Sequence, residues 1–170
     1  MKRWLIVLIA LVVLLVPSTA FALTTADVTV TATPSYVSIT LIPGPTTWPI
    51  GVVTEGSTPS TTTSYFTIDN ASTVQTDQTI SVTTATWSGG VTWTHSDTCT
   101  PGTDTAGLKA NKGGTWGTSD IIVKNASPNF IAENQAATTD YSFGLKLWAP
   151  TLFGDGVEKQ IIVRITAVAG

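Results

Sequence analysis

Histidine and cysteine each occur once in the 170 residues, as His95 and Cys99, and that scarcity removes most site chemistry at the outset. A single cysteine forms no disulfide within its own chain, so apolar burial has to hold the fold. One thiol and one imidazole fall two soft ligands short of a structural zinc site. They stand four residues apart, running into Thr100-Pro101-Gly102, with no third group to orient the histidine and no oxyanion motif nearby. A protein that is not an enzyme is expected from this poverty of convergent titratable groups. Charge is also sparse, at 11% of residues, with 8 basic against 11 acidic side chains. Without a basic footprint, nucleic acid and anionic membrane are not expected partners. Helical periodicity is missing beyond the N-terminal segment, save for Phe130-Ile131-Ala132-Glu133-Asn134-Gln135-Ala136, which is too short to stand alone and reads as a loop or single turn.

What is present begins with Met1-Lys2-Arg3, an apolar run from Trp4 to Val16, Pro17, and Ala20-Phe21-Ala22. A basic start, a short apolar core and a small-x-small site describe a secretory signal peptide over 1–22, cut after Ala22. The run is shorter than a membrane span and stops at a helix-breaking proline, which argues against a permanent anchor. Leu23–Gly170 then forms one secreted domain of 148 residues, with six basic and eleven acidic residues and a net charge of −5. Threonine replaces charge as the main polar residue, giving solubility and β-propensity together. Such a surface repels its neighbours weakly, which suits self-association.

Trp87-Ser88-Gly89-Gly90-Val91-Thr92-Trp93 joins two strand-forming runs through glycines and predicts a tight hairpin, Trp87 opposite Val91 and Ala85 opposite Trp93. Ile80 and Val82 sit on the other parity of the incoming run, so a bulge is expected near Thr84. Further strands are read over 26–32, over 36–42 with Val37, Ile39 and Leu41 inward, over 48–53 as a short edge strand, and over 65–70 with Phe66 and Ile68 inward. Residues 120–124, 141–148 and 160–167 complete the set, with Asp155-Gly156 in the turn between the last two. Residues 96–119 read as a long loop anchored by Leu108 and Trp116. Eight or nine short strands and no helix predict an all-β fold, an antiparallel β-sandwich of immunoglobulin-like type without an intrachain disulfide, or else a closed barrel.

The signal peptide, Tyr65-Phe66-Thr67-Ile68-Asp69-Asn70, and the closing segments Phe143-Gly144-Leu145-Lys146-Leu147-Trp148-Ala149-Pro150 and Gly156 to Ala167 resemble small secreted bacterial β-sandwich surface proteins. In layout the chain is similar to the camelysin and TasA group. That resemblance implies extracellular biofilm fibres built by donation of an N-terminal strand to a neighbour. A fainter similarity is to WxL cell-wall-binding domains, although Trp93-Thr94-His95 and Trp148-Ala149-Pro150 both lack the leucine of that motif.

The candidate sites follow. Ala26, Val28, Val30 and Ala32 form one face of a strand able to complete another copy's sheet, making copies of itself the expected partner. Cys99, between Asp97 and Pro101, reads as an exposed loop thiol and a candidate for an intermolecular disulfide. Trp48, Trp87 and Trp116 are candidate glycan contacts, because indole is amphipathic and stacks on sugar rings. A carbohydrate- or cell-wall-binding module is therefore the alternative to a secreted structural protein of the cell surface or matrix. Asn70 and Asn125 open the glycosylation sequons Asn70-Ala71-Ser72 and Asn125-Ala126-Ser127. No cofactor is expected; calcium alone stays open, through Asp97 with Asp104 or Asp155 with Glu158, neither in a calcium-loop spacing. His95 reads as a partly exposed strand histidine.

Overall fold

The computed structural model describes residues 29, 31–41, 44–113, 115–118, 120–125 and 127–170. Residues 1–22, expected to be a signal peptide, and Ala26, Val28 and Val30 lie outside the described residues. Two units are distinguished, Met1–Thr33 and Pro34–Gly170. In the first, Thr29 and residues 31–33 form no strand, and Ala32 is exposed. In the second, ten strands and no helix are found among the described residues, which makes the protein all-β.

The larger sheet runs β1 (Ile39–Leu41), β2 (Phe66–Asn70), β9 (Tyr141–Trp148), β6 (Thr105–Asn111), β5 (Trp93–His95) and β4 (Thr86–Trp87), with β7 (Asp120–Val123) also paired to β6. The smaller sheet is β10 (Val163–Ala169), β3 (Thr76–Val82) and β8 (Asn129–Gln135). Both feed one apolar core: Phe66, Ile68, Leu108, Phe143, Leu145 and Leu147 from the first meet Ile80, Val82 and Ile131 from the second. Alternation in β2 and β9 was sufficient to place them, and Phe66 stacks on Phe143 across the pair, centroids 5.1 Å apart.

Several expectations are corrected. The long loop over 96–119 contains β6, the centre of the larger sheet. Its weak β-formers are small because Ala106 and Ala110 pack into the core and Gly107, on the other face, lies under Cys99. β6 also pairs in parallel with β5 over Thr94↔Thr105 and His95↔Ala106, so the architecture is mixed rather than wholly antiparallel. Residues 129–135, read as a loop or turn, form β8; Ile131 and Ala132 are buried, whereas Phe130 is 43% exposed. Edge pairing to β3, with register shifts around Gln78, replaces the expected loop or single turn.

Residues 48–53 form no strand. Pro49 has no N–H to donate and Gly51 sits at φ 77°, so the segment lies as coil with Trp48, Ile50 and Val53 packed on the core. The edge of β9 beside β2 is taken instead by 57–61, where Leu147 N–H donates to the Pro59 carbonyl and Thr61 N–H to the Leu145 carbonyl. In β1 only Ile39 turns toward the core; Leu41 is exposed because the strand is an edge with a single neighbour, and Val37, also exposed, lies before the strand.

The run from Gln78 to Trp87 is two strands. The parity conflict falls where a bulge was expected, at residues 83–85, but the chain resolves it by leaving the smaller sheet and entering the larger. In the β4–β5 hairpin Trp87 faces Trp93, not Val91, leaving the five-residue loop 88–92. That loop stays wide because the 149–162 crossover clasps it. Asp155 accepts from Val91 N–H at 2.5 Å, and the Lys159 ammonium donates to the Gly89 carbonyl at 2.6 Å and to Asp155 at 2.5 Å. A Cβ on Gly89 would collide with the Glu158 carbonyl. The last two alternating segments are consequently not hairpin partners: β9 belongs to the larger sheet and β10 to the smaller.

Candidate functional site

Two places in the fold have features that packing alone does not account for. The first is the outer edge of β10. Among the described residues its only strand partner is β3, in unbroken register over seven residues from Val163↔Val82 to Ala169↔Thr76. Thr83 N–H donates to the Ile162 carbonyl and Gly170 N–H to the Gln75 carbonyl, one at each end of the ladder. In an antiparallel pair, hydrogen-bonded positions alternate, so the even-numbered residues of β10 aim their peptide groups at β3. Val163, Ile165, Ala167 and Ala169 then direct N–H and C=O away from it, along the open edge. The side chains of Val163 and Ile165 face the core but are only half-buried, beside Val82 and Ile80, which are completely buried. Val168 on the strand, 54% exposed, and Ile162 just before it, 68% exposed, add apolar surface. The opposite edge, β8, is broken by register shifts and by Asn134 at φ 52°, devices that discourage further pairing.

The second place is the solvent face of the larger sheet. Lys109 on β6 stands directly opposite Lys146 on β9. Both ammonium groups lie over the Trp148 ring, 4.6 and 5.0 Å from its centroid, and Lys146 lies 5.7 Å from that of Trp116. Trp116 is held from the other side by its indole N–H, which donates to the Thr61 carbonyl at 3.2 Å. Like charges facing one another across a ladder repel, and the ring quadrupoles offset only part of that. Among the described residues no carboxylate comes within ion-pair distance of either lysine; the lysines that have such partners are Lys112 and Lys159.

The remaining candidates separate from one another. Trp87 is buried, with Trp93 5.9 Å away and tilted against it, so it has no face to offer a sugar. Trp48 is half-buried against the core, and Trp116 keeps a partly open face. Asn70 is buried, donating to the Ala136 carbonyl at 3.0 Å and to Thr76 Oγ1 at 3.3 Å, and accepting from Ser72 N–H at 3.2 Å. Its amide ties the end of β2 to the start of β3 and the end of β8, so the folded chain does not present Asn70 as a glycan acceptor. Asn125 is half-buried, its N–H donating to Asp97 Oδ1 at 2.7 Å.

Cys99 is half-buried rather than exposed. It sits at φ 55° and lies on Gly107 of β6, where a Cβ would come within 2.7 Å of Sγ. Burial pushes the thiol up to about 11, with the Lys109 charge pulling weakly the other way. A thiol so rarely ionised at neutral pH exchanges slowly, which works against an intermolecular disulfide. His95 is buried, not partly exposed. Its Nε2 donates to the Val123 carbonyl at 2.7 Å, while Nδ1 has no partner among the described residues. The carboxylates weighed for calcium hold backbone instead, Asp104 accepting from Gly154 N–H at 2.6 Å and Asp155 closing the clasp described above. Among the described residues no three His, Cys, Asp or Glu side chains cluster as metal ligands, and no helix is long and apolar enough to cross a membrane.

Set against known proteins, the chain matches no family model, no curated protein and no solved structure.

The β10 edge and the Lys109–Lys146 pair were both missed by sequence reasoning. Lysines 37 residues apart give no pairing signal, and alternation marks β10 as a strand without saying which of its edges has a neighbour.

Proposed function

We propose that this chain is a secreted structural protein of the cell surface or matrix, built on an immunoglobulin-like sandwich, whose copies associate by strand addition. The segment Ala26–Ala32 of one copy would lie along the outer edge of β10 of the next. The supporting observation is that edge: a regular seven-residue strand with four outward-facing peptide positions, partly exposed inner side chains and Arg164 as the one charge. Donor and acceptor are matched in length and pattern. Ala26–Ala32 is also seven residues, and Val28 and Val30 would cover the exposed flanks of Val163 and Ile165 while Thr29 and Thr31 faced water. Scarce surface charge lowers the repulsion such an assembly has to overcome.

The test uses Leu23–Gly170 at high concentration, followed by light scattering and electron microscopy. Ala167→Pro removes an outward N–H without touching the ladder to β3, since edge strands accept proline on that side. The parent should assemble, and Ala167→Pro and a chain lacking 23–33 should both stay monomeric with the parent's circular dichroism. Fibres that form equally in all three would overturn strand addition, and a monomeric parent would overturn self-association.

A further inference from the structure

We propose that Lys109, Lys146, Trp116 and Trp148 form a binding site for a carboxylate-bearing polysaccharide, a polymer of uronic acid units. The β6–β9 register sets the two lysines side by side and both ammonium groups lie over one indole, with no carboxylate of the described residues in reach. A ligand anion placed between them relieves the repulsion that the unliganded sheet carries, so the site favours negative charge although the protein as a whole is acidic. Two half-buried indoles flank the Lys146 ammonium and leave apolar ring surface beside it. Alternation of flat apolar surface with cationic groups suits a chain of sugar rings, whose C–H faces lie on indole while their carboxylates meet lysine. An acidic polypeptide would use the lysines but has no flat ring to lay on both tryptophans. This site replaces the expected set of Trp48, Trp87 and Trp116, keeping only Trp116. It does not depend on strand addition, because it lies on a sheet face and not at an edge.

Binding is measured by intrinsic tryptophan fluorescence and by calorimetry on the full secreted chain and on its Ala167→Pro variant, so that loss of assembly and loss of binding are read separately. The probes are polygalacturonate, its fully methyl-esterified form, poly-glutamate and a neutral glucan. Polygalacturonate should bind and weaken with added salt, while the ester and the glucan should not bind. Lys109→Gln and Lys146→Gln should each weaken binding about tenfold, the scale of one charge-assisted contact. The double variant should lose binding without a lower melting temperature, since it removes a repelling pair. Trp116→Ala should weaken polygalacturonate alone. Equal binding of the methyl ester, equal or tighter binding of poly-glutamate, or no response to polygalacturonate would each overturn the proposal.

Discussion

β6 and β10 are both seven residues long, yet their burial is the reverse of what their sequences announce. Thr105-Ala106-Gly107-Leu108-Lys109-Ala110-Asn111 has one large apolar residue and a glycine, and it is the most enclosed strand of the larger sheet. Val163-Arg164-Ile165-Thr166-Ala167-Val168-Ala169 alternates clearly from Val163 to Ala167, and none of its residues is fully buried. Apolar content measures what a strand can bury, whereas the number of its neighbours decides what it does bury. β6 has β9 along one edge and β5 and β7 sharing the other, with Cys99 laid over Gly107; among the described residues β10 has β3 alone.

The sharpest way to break this contrast is truncation on each strand. Leu108→Ala should cost about 3–4 kcal/mol, the range for a leucine cavity that close packing cannot refill, and should lower the melting temperature by roughly 10 °C in a chain of this size. Asn70→Ala comes next, at about 2–3 kcal/mol, because it leaves the buried Ser72 N–H without its acceptor and unties the end of β2 from Thr76 and Ala136. Ile165→Ala should cost only about 1–2 kcal/mol in the monomer, since its side chain is already partly wet. In the assembled state the same change should cost more, and equal costs in the two states would show that nothing covers β10. All three are read by denaturant titration.

The clasp between the 149–162 crossover and the β4–β5 loop supplies a pH-dependent check. Lys159 above all, then the Val91 N–H, holds the Asp155 carboxyl below the ordinary carboxylate value. Its contribution is therefore complete at neutral pH and disappears as pH falls through the lowered folded value. Asp155→Asn should flatten part of the loss of melting temperature between about pH 5 and pH 2, and an unchanged acid profile would show that the ion pair contributes nothing. The smallest effects belong to Cys99. Its thiol, raised to about 11 by burial, should alkylate roughly tenfold more slowly at pH 8 in the folded than in the unfolded chain, because higher intrinsic nucleophilicity offsets part of the lost ionisation. Cys99→Ser should cost about 1 kcal/mol or less, and a larger loss would mean that the contact with Gly107 anchors the 96–104 loop.

By itself the sequence determined the all-β class, the single cysteine's inability to form an intrachain bridge, and the strands whose own side chains alternate: Phe66 and Ile68 in β2, Phe143, Leu145 and Leu147 in β9, Ile80 and Val82 in β3. Those features are local, because a two-residue period and strong β-propensity act within one segment. Everything that depends on a second segment was decided by tertiary structure. The crossing at residues 83–85, the burial of Trp87 and Asn70, the parallel contact of β5 with β6 and the meeting of Lys109 with Lys146 are all of this kind. The same holds for the open edge of β10, since a strand's sequence sets which way its side chains point but carries no record of how many neighbours its peptide groups will find.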